Sequence, residues 1–259
     1  MKKVLKGQEP SLLKSYRTST PSNTWEAFSK KTGRKTQVQQ QLKADQNGLC
    51  AYCEIDLLDA DEDGNGVADF RVEHFHPKSA TVAGSHNWHL DWHNLLGCCH
   101  GGSKNDVIAR SARYTSPDHS CDVPKANQNL TGVILNPLTD VPAFPGIFKC
   151  DRATGILSVN TNNCNTAGIN PVLAQNTIDE LRLDADRLNR FRKAVLDRLN
   201  QQLQEQIRRG IAVPQAMDQL AQAHLRKNNQ QQWPAFFTSI RDYLGPAAEK
   251  QLQAIGYQG

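Results

Sequence analysis

An α+β fold is expected of this chain, on three observations. Residues 48–130 hold most of the cysteines and histidines in a stretch rich in Gly, Asn and Asp, which reads as a loop-heavy unit organised by metal. Apolar residues at helical spacing lie on both sides of it. Two short β-like runs separated by turn residues follow it. The 259 residues suffice for a sizeable core, since a domain takes roughly 100–200 residues. Hydrophobic residues make up 38% and charged residues 22%, which excludes a disordered chain. No apolar run approaches the roughly 18 residues of a membrane span. The opening Met1-Lys2-Lys3-Val4-Leu5-Lys6 lacks the apolar stretch of a signal peptide. A cytoplasmic location with no membrane partner is therefore expected.

Residues 1–47 form a helical N-terminal segment. Trp25, Phe28, Val38 and Leu42 are spaced for helices, and Asn47-Gly48 is the stop. Residues 48–130 are the metal-bearing core. Within it Val72-Glu73-His74-Phe75-His76-Pro77 reads as a strand ended by proline. Asp59-Ala60-Asp61-Glu62-Asp63-Gly64-Asn65-Gly66 imitates the start of a calcium loop, but Phe70 stands where the closing Glu is needed. A polar turn into the strand is the better reading. Residues 131–259 begin with a hairpin of Gly146-Ile147-Phe148-Lys149 and Gly155-Ile156-Leu157-Ser158-Val159, then turn helical.

In that helical region Thr177 and Glu180 form a capping box that should open a long helix. Its apolar stripe is Leu181, Ala185, Leu188, Phe191, Val195, Leu199, Leu203 and Ile207, and Gly210 ends it. Pro214 starts the next helix, and Trp233 to Leu244 make a further amphipathic segment. The net charge is +4, which permits an anionic partner without demanding one. Basic clusters at Lys30-Lys31-Thr32-Gly33-Arg34-Lys35, at Arg187, Arg190, Arg192 and Lys193, and at Arg208-Arg209 read as solvated faces or contacts to such a partner.

Seven cysteines in an unexported chain point to metal binding or chemistry more than to disulfides. Cys50-Ala51-Tyr52-Cys53 can hold two corners of a tetrahedral Zn²⁺, with Cys98, Cys99 and Cys121 available for the rest. A redox role for the pair lacks the surrounding βαβ pattern. Cys150 and Cys164, at the hairpin, read as ordinary buried thiols. In Glu73-His74 the carboxylate suits a hard cation and the imidazole can take a proton from water. An ideal strand would turn these two side chains to opposite faces. Convergence needs the strand to twist or end there, and His76 is the fallback base on the His74 face.

The order Cys-x-x-Cys, Glu-His-x-x-Pro, Asn-Leu, Cys, and a last Cys followed by a metal-capable residue and Lys resembles the HNH endonucleases. The wording Leu49-Cys50-Ala51-Tyr52-Cys53-Glu54, Glu73-His74-Phe75-His76-Pro77-Lys78-Ser79 and Trp92-His93-Asn94-Leu95-Leu96 is closest to the nuclease subunit of Septu and retron anti-phage systems (PtuB-like). The resemblance implies a ββα-metal core with a zinc knuckle, cutting phosphodiester bonds of nucleic acid with Mg²⁺ or Mn²⁺. His74 is then the general base, Glu73 and Asp122 the catalytic metal ligands, and Asn94 the residue that ties the loop together. Cys50, Cys53, Cys99 and Cys121 hold the structural Zn²⁺, and Lys78 and Lys125 contact nucleic acid. A bacterial defence role follows, with an SMC/ABC-type ATPase partner (PtuA-like) and a retron RNA–DNA complex.

Asp122 stands where the family has His or Asn, an extra negative charge that favours Mg²⁺ or Mn²⁺. The stretch His100 to Ser120 separates the last two thiolates, so Cys98 and His100-Gly101-Gly102-Ser103-Lys104 offer a rival way to complete the metal sites. The alternative function is a non-catalytic zinc-stabilised nucleic-acid-binding module, which would have no use for Glu73-His74. A cysteine-nucleophile hydrolase ranks third, because no Cys has an evident activating His.

Overall fold

The helical spacing at the N-terminal end folds into α1 (Ser11–Ser19), α2 (Trp25–Ser29) and α3 (Thr32–Asp45) in the computed structural model of the chain, which describes residues 1–60, 67–82 and 84–259. Thr24 caps α2 by accepting from the Ala27 amide at 3.2 Å. Trp25, Phe28, Val38 and Leu42, the residues expected to face inward, are buried with Leu13 against Leu90, Trp92 and Leu95. The N-terminal helices thus lie on the segment that leads into the second strand.

The first hairpin pairs β1 (Arg71–His74) with β2 (Leu95–Cys98) antiparallel, with Glu73 opposite Leu96 and His74 opposite Leu95. The buried Gln46 side chain stitches the end of α3 to it: Nε2 donates to the Gly97 carbonyl at 2.8 Å, and Oε1 accepts from the Gly97 amide at 2.6 Å. Two single-turn helices follow, α4 (Arg110–Arg113) and α5 (Asp122–Lys125). The second hairpin, β3 (Phe148–Cys150) with β4 (Leu157–Val159), forms where its turn chemistry placed it. From residue 61 onward, the calcium-like segment lies outside the described residues.

The C-terminal region comprises α6 (Thr161–Thr166), α7 (Pro171–Glu180), α8 (Asp186–Arg208), α9 (Val213–His224) and α10 (Phe237–Ala254). Two sequence expectations are corrected. Thr177 does not cap a helix: it lies inside α7, whose start is capped by Asn170. Its buried hydroxyl instead donates to the Leu173 carbonyl and accepts from the Leu135 amide, a tertiary bond that outcompetes the capping box. The long helix therefore starts at Asp186. Nor are Arg187 and Arg192 on a solvated face, since each is 1% exposed. The stripe otherwise packs inward, with Leu188 in one apolar cluster and Leu196 and Leu199 in a second shared with α9 and α10. Among the described residues no helix is long and apolar enough to cross a membrane.

The largest apolar cluster draws on the Cys50–Leu57 region, on β2, and on Leu135, Phe148, Ile178 and Leu188. The β3–β4 turn is pressed onto α8 at Gly155, which has φ +79°; a Cβ there would stand 2.0 Å from the Asn189 carbonyl oxygen. Gly155→Ala is expected to destabilise the protein by about 1–3 kcal/mol through strain and displacement of the turn. Denaturant unfolding measures this. An unchanged midpoint would mean the turn does not bear on α8.

Candidate functional site

The tight turn after α3 is closed by the Cys50 amide donating to the Ile55 carbonyl and the Glu54 amide donating to the Cys50 carbonyl. It presents Cys50 and Cys53 on one side. The end of β2 brings Cys99, and the residue before α5 brings Cys121. The four sulfur atoms lie within 4.8 Å of one another, all buried and none in a disulfide. Cys98 is buried beside this group but outside it, and Cys150 and Cys164 lie elsewhere. Gly101 permits the close return of the chain, because a Cβ at its φ of +60° would meet the Ser120 carbonyl oxygen at 2.1 Å.

The surroundings test whether these thiols fit a metal. Arg187 and Arg192 from α8 are buried, and among the described residues neither makes an ion pair with a carboxylate; Arg187 Nε and one Arg192 terminal nitrogen lack any partner. Burial opposes the Arg187 charge, yet the neighbouring Cys99, Cys53 and Cys121 sulfurs hold its pKa above the ordinary arginine value. Arg187 also donates to Ser120 Oγ at 2.8 Å, and that hydroxyl lies 3.7 Å from Cys121 Sγ. An uncompensated buried cation is prohibitively costly. Four thiolates around a divalent ion would carry a net double negative charge, which Arg187 offsets, while at Arg192 burial outweighs the pull of the sulfurs and lowers its pKa. The donor set and its surroundings fit a metal ion.

The second site lies on one face of β1. Glu73 and Asp122 are buried and each feels the other's charge. Arg71, two residues before Glu73 and so on its face, donates through Nε to Asp122 Oδ2 at 2.7 Å. Lys125 Nζ pairs with Glu73 Oε1 at 2.7 Å and also donates to the His74 carbonyl at 3.1 Å. Asp122 Oδ1 is buried without a hydrogen bond, whereas Glu73 Oε1 has Lys125 Nζ as its partner. Burial, and then Asp122, push Glu73 up to about 7 against the pull of Lys125 and Arg71. Two neighbouring buried carboxylates, one with an unpartnered oxygen, are hard donors that fit a divalent cation. Cys121 and Ala126, at the two ends of α5, take positive φ of 64° and 48°. Strain of roughly 1–3 kcal/mol per residue is therefore placed on either side of Asp122.

His74 lies on the other face, as strand alternation requires. The structure thus brings Glu73 and Asp122 together but does not bring His74 to them, and the expected convergence of all three on one ion is corrected. Its ring meets Trp25 edge-on at 5.5 Å, and Nε2 lies 3.1 Å from the His89 carbonyl oxygen. Burial pushes it down to about 3, so the imidazole is neutral near pH 7. With Nε2 donating to a carbonyl, Nδ1 is the acceptor nitrogen. Lys78 is half-exposed on this side and pairs with Glu26. His89 accepts from the Trp25 amide through Nδ1.

Asn94 ties these parts together without touching either carboxylate. Its Oδ1 accepts from the His76 amide at 2.7 Å, and Nδ2 donates to the His76 and Trp88 carbonyls at 2.9 Å each. His76 is stacked on Trp88 at 4.0 Å. His100, the rival ligand, lies outside the thiol cluster, and its backbone amide donates to Asp69. Lys125 is corrected from an exposed nucleic-acid contact: its side chain is 1% exposed and crosslinks α5 to β1. The sequence reading did not single out Arg71 or the role of Arg187 beside the thiols. Arg71 stands on the Glu73 face by the same alternation that separates His74.

No family model matches the chain. A curated relative from Escherichia coli, named "Retron Ec83 putative HNH endonuclease", is 32% identical over 264 residues, covering 94% of this chain and 93% of its own length.

Asn94→Ala removes three buried hydrogen bonds and leaves backbone groups of His76 and Trp88 unpaired, at about 1–3 kcal/mol for each group left unsatisfied. Chemical denaturation should show a loss of that order. A loss below about 0.5 kcal/mol, the range of surface substitutions, would mean the loop holds without the side chain.

Proposed function

This chain belongs to the HNH endonuclease family and is a nuclease, and on that premise we propose that it hydrolyses phosphodiester bonds with a divalent cation held by Glu73 and Asp122. The observation that carries this reading is the pair of buried carboxylates, Glu73 and Asp122, beside each other at β1 and α5 with Asp122 Oδ1 unpartnered, and a neutral, buried histidine next in the chain. In this reading the hairpin β1–β2 and α5 are the ββα-metal core, and the four cysteines hold a structural Zn²⁺. Mg²⁺ or Mn²⁺, when bound, polarises the phosphate and offsets charge on the departing 3′-oxygen.

The protein's own groups supply the rest. His74 is the base in this reading, with its Nε2 proton given to the His89 carbonyl and Nδ1 as the accepting nitrogen. Because it stands on the face of β1 opposite Glu73 and Asp122, taking the proton of the attacking water requires the Trp25 cover to be displaced and the end of the strand to turn. Asn94 fixes the backbone just after the base. Lys125 holds α5, and with it Asp122, against β1. His74 is 6% exposed beneath Trp25, so substrate reaches it when the Trp25 and Glu26–Lys78 cover is displaced. Lys78, freed from Glu26, is then a phosphate contact on that side. DNA is the favoured substrate, with RNA as an alternative. The retron in the relative's name and the Septu-like wording of the motifs support a defence role in the bacterial cytoplasm, with an SMC/ABC-type ATPase as partner. The three sequence segments, 1–47, 48–130 and 131–259, are then cover, nuclease core and partner-facing region.

The test is incubation of the protein, alone and with its operon neighbour, with plasmid, single-stranded DNA and tRNA, in Mg²⁺ or without divalent cation. Cutting should require the cation. His74→Ala should reduce it by about 10²–10⁴-fold at unchanged folding, whereas undiminished cutting would place the base elsewhere. Cys53→Ser should yield insoluble or zinc-free protein.

A further inference from the structure

The carboxylate site contains two cations, and only one of them is within reach of a ligand. Lys125 is 1% exposed at its side chain, whereas Arg71 is 39% exposed while its partner Asp122 is 5% exposed. Arg71 is anchored through Nε to Asp122 Oδ2 at 2.7 Å, and among the described residues its terminal nitrogens make no other hydrogen bond or ion pair. An arginine held by Nε keeps its plane fixed and presents both terminal nitrogens as a fork, a geometry matched to the two non-bridging oxygens of a phosphate. We propose that Arg71 is a substrate-binding residue that grips the phosphodiester at the mouth of the Glu73–Asp122 pair. The inference rests on the nuclease reading above.

Charge balance supports it. Glu73 and Asp122 are offset by Arg71 and Lys125, so the four groups together are neutral. A bound divalent cation leaves the site doubly positive, and an anionic phosphodiester relieves that excess. The single Nε bond also divides the labour at Asp122: Oδ2 accepts from Arg71 while Oδ1 stays free for the cation. Arg71 stands on the Glu73 face of β1, so the gripped phosphate lies beside the metal ligands and not under Trp25.

A purely structural role, with Arg71 only steadying Asp122, makes a different forecast. The experiment is fluorescence-anisotropy binding of labelled single- and double-stranded DNA and RNA oligonucleotides across a salt series, in buffer without divalent cation so that nothing is cut. Wild type, Arg71→Ala and Arg71→Lys are compared, with bound zinc confirming that each is folded. Arg71→Ala should weaken binding about tenfold and lower the slope of log affinity against log salt by about 1. Arg71→Lys should restore the slope but only part of the affinity and of the cutting rate, because the fork is lost. If Arg71→Ala binds with wild-type affinity and slope while cutting needs more Mg²⁺, Arg71 only positions Asp122 and the proposal is overturned. A wild type that neither binds nor cuts any probe overturns the nuclease reading itself, and the clamp with it.

Discussion

Four sulfur atoms drawn from three separate stretches of chain set the geometry on which the rest of the structure depends. The knuckle supplies Cys50 and Cys53, the end of β2 supplies Cys99, and the residue before α5 supplies Cys121. A metal ion held by these sulfurs would crosslink short elements into a site, because a two-stranded hairpin of four-residue strands and a single-turn helix are not stable by themselves. Asp122 follows Cys121 directly, so fixing the last thiol also fixes the carboxylate that faces Glu73. The two buried arginines of α8 join the C-terminal helices to the same centre. Arg187 is held charged by the Cys99, Cys53 and Cys121 sulfurs and by Asp69, so the docking of α8 is coupled to the charge on the thiols.

The two faces of β1 carry different chemistry. One has Glu73 with Arg71, Asp122 and Lys125, a neutral quartet with a spare oxygen on Asp122. The other has His74, kept uncharged by burial and oriented by one carbonyl, beneath an aromatic cover contributed by α2. Separate faces let each group have the environment its role needs. A histidine close to two carboxylates would be drawn toward its charged form, and a carboxylate in an apolar niche would stay protonated. Arg71 extends the first face to the surface.

Much of this was legible in the sequence because ligand spacing and strand alternation are local rules. The N-terminal helices, the stop at Asn47-Gly48, the β3–β4 hairpin and the helix start at Pro214 follow from periodicity and turn chemistry, whereas the β1–β2 hairpin was implied only by the family resemblance. The opposed directions of Glu73 and His74 follow from the pleat. What escaped was set by tertiary contact. The Thr177 hydroxyl is claimed by Leu135 across the fold, which no capping pattern reveals. Lys125 is buried because its helix lasts one turn and ends against β1, whereas a lysine after a cysteine in a loop reads as solvated. Arg187 and Arg192 look like part of a basic surface until α8 is set to begin at Asp186. The signal that could have found them is their position beside the stripe residues Leu188 and Phe191.

The account stands on the claim that the four cysteines are thiolates around one metal ion. X-ray absorption at the zinc edge of the purified protein tests it most directly. A shell of four sulfur atoms at about 2.3 Å, with no nitrogen or oxygen, is the result this account requires. Well-folded protein with no metal, or with a metal bound by nitrogen and oxygen, would contradict it.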